Sequence, residues 1–251
     1  MRLKSLSLTN FRNYDAASVR FHRDVNLIIG GNSQGKTNLL EAIGYLSVPK
    51  SHRATRDHEL IKIGKDFFRI VAQVESERYG QSVVTIVYTG REKNIQVDGE
   101  PLNSVSDLVG YVKSVSLFPE SAPLTWGPPN IRRRFINLLL SQIDRDYLHS
   151  LQGYNRVLSH RNRLLSTGKA SEVKPWDEQL VRLGSRLMVK RKEAVEAISG
   201  DFERFYKLIA DTVERAEVDY IPSVRFDHPG EAEENYREQL ERNRRNHVYR
   251  M

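Results

Sequence analysis

The run "LIIGGNSQGKTNLLEAI", residues 27–43, decides how this chain is read. Gly30, Gly35, Lys36 and Thr37 fit G-x-x-x-x-G-K-[ST], a pattern that carries meaning only where a strand delivers the chain and a helix receives it. Residues 25–29, "VNLII", form the most strand-like run in the sequence, and Leu39, Leu40, Ile43 and Leu46 fall on one predicted helical face. In that context the glycines let the backbone curl so that successive amide N–H groups point inward. The helix N-terminus adds its positive end, and both favour bound phosphate. Gly30, Gly31, Asn32, Ser33, Gln34 and Gly35 would cradle the phosphates, Lys36 would reach the terminal ones, and the Thr37 hydroxyl would hold a magnesium ion. Kinases, GTPases and ATPases share this loop, so it does not choose among them.

Composition sets the outer limits. The chain has 251 residues, 39% of them apolar, enough for a buried core in one large domain or two smaller ones. No apolar run approaches membrane-spanning length, and the N-terminus has no continuous apolar stretch with a cleavage site, so neither a membrane partner nor export is expected. Cysteine is absent, which excludes disulfides and thiolate metal sites and fits a cytoplasmic protein. None of the seven histidines has metal-ligand spacing, and no Ser-His-Asp arrangement stands out. The net charge is +7, but fourteen Lys or Arg against five Asp or Glu between Ile131 and Lys192 make that segment +9 and the remainder −2. A block of this size points to a polyanion, with a solvated helical surface as the plain alternative.

The chain changes regime near residue 120. Before it, "KSLSLTNF", "FRIVAQVE", "SVVTIVY" and "NIQVDGEPL" read as strands, with Asp98-Gly99 as a turn. After residue 130 apolar residues recur three and four apart, as in Leu148, Leu151, Tyr154 and Leu158. A longer helical stretch over residues 176–213 carries Leu180, Leu183, Leu187, Phe202, Phe205 and Ile209. "GPP" at 127–129 and "STGKASEVKP" at 166–175 punctuate the helices.

Three stretches together, "LTNFRNY" at 8–14, "GGNSQGKTNLLEAI" and "PESAPLTWGPPNIRRRFIN" at 119–137, resemble the RecF family of bacterial recombination mediators, which have SMC-like ATPase heads. The third is the family's own signature, through Pro119, Glu120, Gly127, Pro129, Arg132, Arg133, Phe135 and Asn137; Thr125 and Pro128 depart from it. The resemblance extends through "YNRVLSHRNRLL" and "PWDEQLVRLGSRL".

It implies an α/β fold, a mixed sheet around the helix after the loop, with a mainly helical lobe inserted. The implied divisions are an ATP-binding lobe at 1–125, a helical lobe at 126–215 and a segment returning to the first lobe at 216–251. The implied cofactors are ATP and Mg2+. The implied partners are double-stranded and gapped DNA, a second copy in an ATP-driven dimer, and mediator proteins of the RecR/RecO type. Arg12 and Asn13 would approach the phosphates and Glu120 would sense the site. Arg132, Arg133, Arg134, Arg161 and Arg163 would contact DNA backbone. In the family a signature loop and a strand ending in two acidic residues complete the nucleotide site; these 251 residues contain neither, so weakened nucleotide binding and negligible turnover are expected. Two other readings stay open: a P-loop enzyme acting on a small molecule, and a nucleotide-independent DNA-binding fragment.

Overall fold

The computed structural model describes residues 1–210 and 214–245, which divide into two compact units, Met1–Arg132 and Arg133–Met251. The first unit is built on a six-stranded sheet and the helix that covers it. The strands are β1 (Arg2–Phe11), β2 (Tyr14–Arg20), β3 (Phe68–Ser76), β4 (Gly80–Tyr88), β5 (Lys93–Val97) and β6 (Glu100–Pro101), in the order β2-β1-β3-β4-β5-β6. Every pairing is antiparallel. The period-two pattern drives this, because Leu6, Leu8, Ile70, Ala72, Val84 and Ile86 point to one face and are buried together. Asp98 (φ 54°) and Gly99 (φ 89°) make the turn that closes β5 onto β6. The Asp98 carboxylate accepts from the Val83 amide at 2.7 Å, which pins the register across β4.

Helix α1 (Lys36–Ser47) covers the apolar face of this sheet. Its buried side is Leu39, Ala42, Tyr45 and Leu46, while Leu40, expected on the same side, is exposed. Tyr45 and Phe11 both meet the Phe68 ring edge-on, at 5.8 and 5.4 Å, and these rings form the centre of the core.

Residues 25–29 correct the reading of the loop's surroundings. They belong to no strand, and Val25, Leu27 and Ile29 are each more than four-fifths exposed. No neighbouring strand pairs with them among the described residues, and without a ladder an apolar run has nothing to bury against. The mixed sheet expected around α1 is therefore antiparallel throughout its named pairings. Residues 113–118 likewise belong to no named strand, with Val115 and Leu117 exposed. Replacing Leu27 and Leu117 together by Gln is expected to shift the unfolding midpoint by no more than about 0.5 kcal/mol per site while lowering binding of a hydrophobic dye. A cooperative loss of stability would show that both side chains are buried.

The second unit is helical. A short helix α2 (Pro123–Trp126) precedes α3 (Pro129–Ile143), which runs across the division into the second unit, where α4 (Arg145–Ser166), α5 (Lys174–Ala210) and α6 (Ala232–Arg245) follow. Asp144 caps α4, its carboxylate accepting from the Tyr147 amide at 2.9 Å. Proline opens α2 and α3 at the first position, where its missing N–H is not needed. Val157, Leu180, Val181, Met188, Val224, Phe226, Tyr236 and Leu240 form the core between α4, α5 and α6. At the far end of α5 the predicted apolar spacing continues, but Phe202, Phe205 and Ile209 are exposed. Val213, at the end of the helical stretch expected from sequence, lies outside the described residues.

Candidate functional site

The loop at residues 30–35 enters α1 through two residues with left-handed backbone, Ser33 (φ 64°) and Gly35 (φ 102°). Gly35 is the position that demands glycine. A Cβ there would lie 2.8 Å from the Asn13 amide group and 2.9 Å from the Tyr14 hydroxyl, and the positive φ would strain any side chain. Tyr14 also donates to the Gly35 carbonyl at 3.1 Å, and Asn38 donates to the Asn13 side chain at 2.9 Å. The tip of the β1–β2 hairpin is thus the wall against which the loop is shaped. Gly35→Ala is expected to displace this tip and lower the melting temperature by several degrees, about 1–3 kcal/mol for an overpacked, strained site; differential scanning calorimetry reads it directly.

Gly30, Gly31, Asn32, Ser33 and Gln34 are exposed, Gly35 is buried, and Thr37 is exposed in the first turn of α1. The Lys36 ammonium folds back over the loop and donates to the carbonyls of Gly30 and Gly31, both at 2.6 Å. Among the described residues it faces no carboxylate there, and backbone carbonyl dipoles meet its charge. A phosphate group offers that ammonium far stronger acceptors, and the loop amides and the α1 N-terminus lie around the same spot. The residues present therefore fit a phosphate group, and Thr37 follows Lys36 in the same first turn. Among the described residues no group of three or more His, Asp or Glu could hold a metal unaided.

Behind the loop lies a carboxylate that the sequence reading did not single out. Glu41 is 1% exposed on α1 and takes both its oxygens into a charged cluster. Arg12 donates to it in a fork, Nε to Oε2 at 2.9 Å and Nη2 to Oε1 at 2.8 Å. Ser51 donates to Oε1 at 2.5 Å, and Arg53 lies 3.8 Å from Oε2. Burial pushes the Glu41 carboxyl up, but the donors Arg12 and Ser51 and the charges of Arg12 and Arg53 outweigh it, so it titrates below the ordinary value. Arg12 spends its remaining nitrogen on the Glu59 carbonyl at 3.0 Å. The arginine expected at the phosphates is therefore turned to Glu41, because a buried carboxylate needs a cation more than an exposed loop does. Asn13, one residue on, does lie against the loop. The visible signal for Glu41 was an acid on the same helical face as Ala42 and Tyr45.

Glu120 is exposed beside a different feature. The His52 ring stacks on Phe118 at 3.7 Å, and Glu120 lies close enough to favour its charged form. Burial lowers the His52 pKa nonetheless.

The arginines expected on DNA separate into three kinds. Arg132 donates to the Gly127 carbonyl at 2.8 Å and so ties down the turn before α3. Arg133, Arg134 and Arg163 are exposed. Arg161 is 2% exposed and its Nε donates to Asp177 at 2.5 Å, so the expectation of a DNA contact is corrected for this residue. It sits four residues beyond Val157 on the buried side of α4, where the helical period turns it inward.

Residues 1–109 match a family model described as an AAA ATPase domain. Curated relatives named DNA replication and repair protein RecF include one from Natranaerobius thermophilus, 36% identical over 90% of this chain and 61% of its own length. Another from Symbiobacterium thermophilum is 36% identical over 96% of this chain and 65% of its own length, and one from Halalkalibacterium halodurans is 38% identical over 89% and 62%. The chain thus spans about three fifths of the length of these relatives. A solved structure described as the recombination mediator protein RecF-ATP in the RecFOR pathway superposes with a TM-score of 0.90 over 98% of this chain and 68% of that one, at 29% identity.

Proposed function

The chain is RecF-like in sequence and fold over nearly its whole length, and from that relationship we propose that it is the nucleotide-binding and DNA-contacting portion of a DNA replication and repair protein. The observation that carries this is Lys36, an ammonium held over a glycine loop by two carbonyls and facing no acid. Gly30, Gly31, Asn32, Ser33, Gln34, Gly35 and Lys36 hold the phosphates of ATP, and Thr37 holds Mg2+. Bound ATP would supply the charge that draws loop, helix and metal together. These residues bind and orient it, and Glu41 keeps the hairpin tip and the residue 51–53 loop in place around it.

Hydrolysis needs more than this. An attacking water must be positioned and the developing charge neutralised, and among the described residues no strand ends in an acid pair to do so. Turnover is expected to be negligible, and phosphate release at the rate of a complete homologue would overturn that. The remaining features of the reading are duplex or gapped DNA as ligand, a second copy brought in by ATP, RecR/RecO-type partners and a cytoplasmic setting. The basic segment supports the first, and no helix among the described residues is long and apolar enough to cross a membrane.

The test is duplex affinity with and without ATP and magnesium, on the chain and on Lys36→Ala. Salt-sensitive binding that ATP tightens, with the gain lost on substitution, is the expected result. Binding indifferent to ATP in both proteins would favour a nucleotide-independent DNA-binding fragment. Absence of salt-sensitive binding would favour a P-loop enzyme acting on a small molecule.

A further inference from the structure

The exposed cations of the helical unit are not equivalent. On α5 and α6 several are matched to acids of the same helix: Arg204 to Asp201 at 2.9 Å, Lys207 to Glu203 at 2.7 Å, Arg237 to Glu233 and Glu234 at 3.1 and 2.6 Å, and Arg242 to Glu238 at 2.8 Å. Such pairs make a solvated face with little net field. Helix α4 is built differently. From Tyr147 to Ser166 it carries Arg156, Arg161 and Arg163 with His149 and His160, and no Asp or Glu at all.

The helical period sorts these residues cleanly. Tyr147, Tyr154, Val157, Leu158 and Arg161 turn toward the core. His149, Gln152, Arg156, Ser159 and Arg163 recur three and four apart on the opposite side, and all five are exposed. Neither Arg156 nor Arg163 enters an ion pair among the described residues, and the Arg163 guanidinium lies 3.3 Å from the His160 ring nitrogen. Both arginines therefore present uncompensated charge on a rigid element, separated by polar side chains that accept or donate hydrogen bonds.

We propose that this outward face of α4 is a contact surface for the phosphate backbone of duplex DNA, with Arg156 and Arg163 each meeting a phosphate and Gln152 and Ser159 hydrogen-bonding between them. The inference rests on the DNA-contacting reading above and names the surface that does it. Arg156 and Arg163 are seven residues apart, about 10 Å along the helix axis, a span that lets both reach phosphates of one duplex. Because Gln, Ser and Arg here face backbone oxygens and no base edges are addressed, the contact is independent of sequence. The buried Arg161 takes no part.

The experiment uses the full chain, a labelled duplex two helical turns long, and a salt titration. Arg156→Gln with Arg163→Gln removes both charges and keeps good helix formers; Arg156→Lys with Arg163→Lys keeps the charges. The Gln variant is expected to lower the slope of log affinity against log salt by about 1.8, and the affinity at about 0.1 M salt by on the order of tenfold or more. The Lys variant should restore the wild-type slope. If wild type binds and the Gln variant keeps its slope and affinity, the α4 face is overturned while the DNA reading stands. If wild type shows no salt-dependent duplex binding, both fall together. A wild-type slope in the Gln variant but weaker binding in both variants would also overturn the proposal, since it would mean lost shape and not lost charge.

Discussion

Arg161→Ala is expected to destabilise the helical unit by about 3–5 kcal/mol, the cost of breaking a buried ion pair from one side. The guanidinium is buried between α4 and α5, with Asp177 on α5 as its counter-ion. Truncation leaves that carboxylate in a low-dielectric environment without its cation, and opens a cavity where the long side chain lay. Such a loss is a large part of what a unit this size has to spare. Urea unfolding followed by tryptophan fluorescence reads it, because Trp176 stacks on His160 at 4.8 Å, each ring next in sequence to a member of the pair. Arg161→Met combined with Asp177→Leu should recover most of the loss, since two well-packed apolar side chains often replace a buried ion pair at no cost. A single variant with wild-type stability would mean that Arg161 is free to serve a ligand after all.

Glu41→Ala should be nearly as costly in the first unit, about 3 kcal/mol, because it strips Arg12, Ser51 and Arg53 of a shared acceptor. Glu41→Gln is the gentler and more informative change. It keeps the volume and one acceptor oxygen but removes the charge. The Glu41 carboxyl titrates below its ordinary value in the folded state, so its contribution is fully present above the ordinary carboxylate range. It is lost as the pH falls through that range and below it. Wild type should therefore lose stability on acidification more steeply than Glu41→Gln, measured as urea midpoints at neutral and acid pH. Asp144, also held below its ordinary value, chiefly by the Tyr147 amide, adds a similar dependence in the other unit that both proteins share.

Much of the fold was legible because its sheet obeys one rule. Phe68, Ile70, Ala72 and Val74 alternate strictly, and one face must be buried, so β3 could take no other register. The α/β architecture and the Asp98-Gly99 turn followed from equally local signals. Residues 25–29 misled because apolar content marks what can be a strand, whereas a strand exists only where a neighbour completes its hydrogen bonds. Leu40 lies outside its expected face, and Glu41 inside, for a related reason. Apolar periodicity assigned α1 a face through Leu40, but the hairpin tip brought Arg12 to the other side, and a buried acid with two cations outcompeted a leucine. Arg161 was misplaced by counting charge without asking which side of the helix each arginine occupied. Its neighbour two residues on, Arg163, faces the solvent for the same geometric reason.

On the proposed reading, the loop over residues 30–37 is a working ATP site in these residues alone. Titration of the chain with ATP and magnesium by calorimetry, beside Lys36→Ala with its thermal melt recorded, tests it most directly. Saturable binding of one ATP per chain is expected, lost in the variant while its melt stays unchanged, since Lys36 bonds to exposed loop carbonyls. Binding that survives the substitution, or wild-type protein that takes up no ATP, would contradict it.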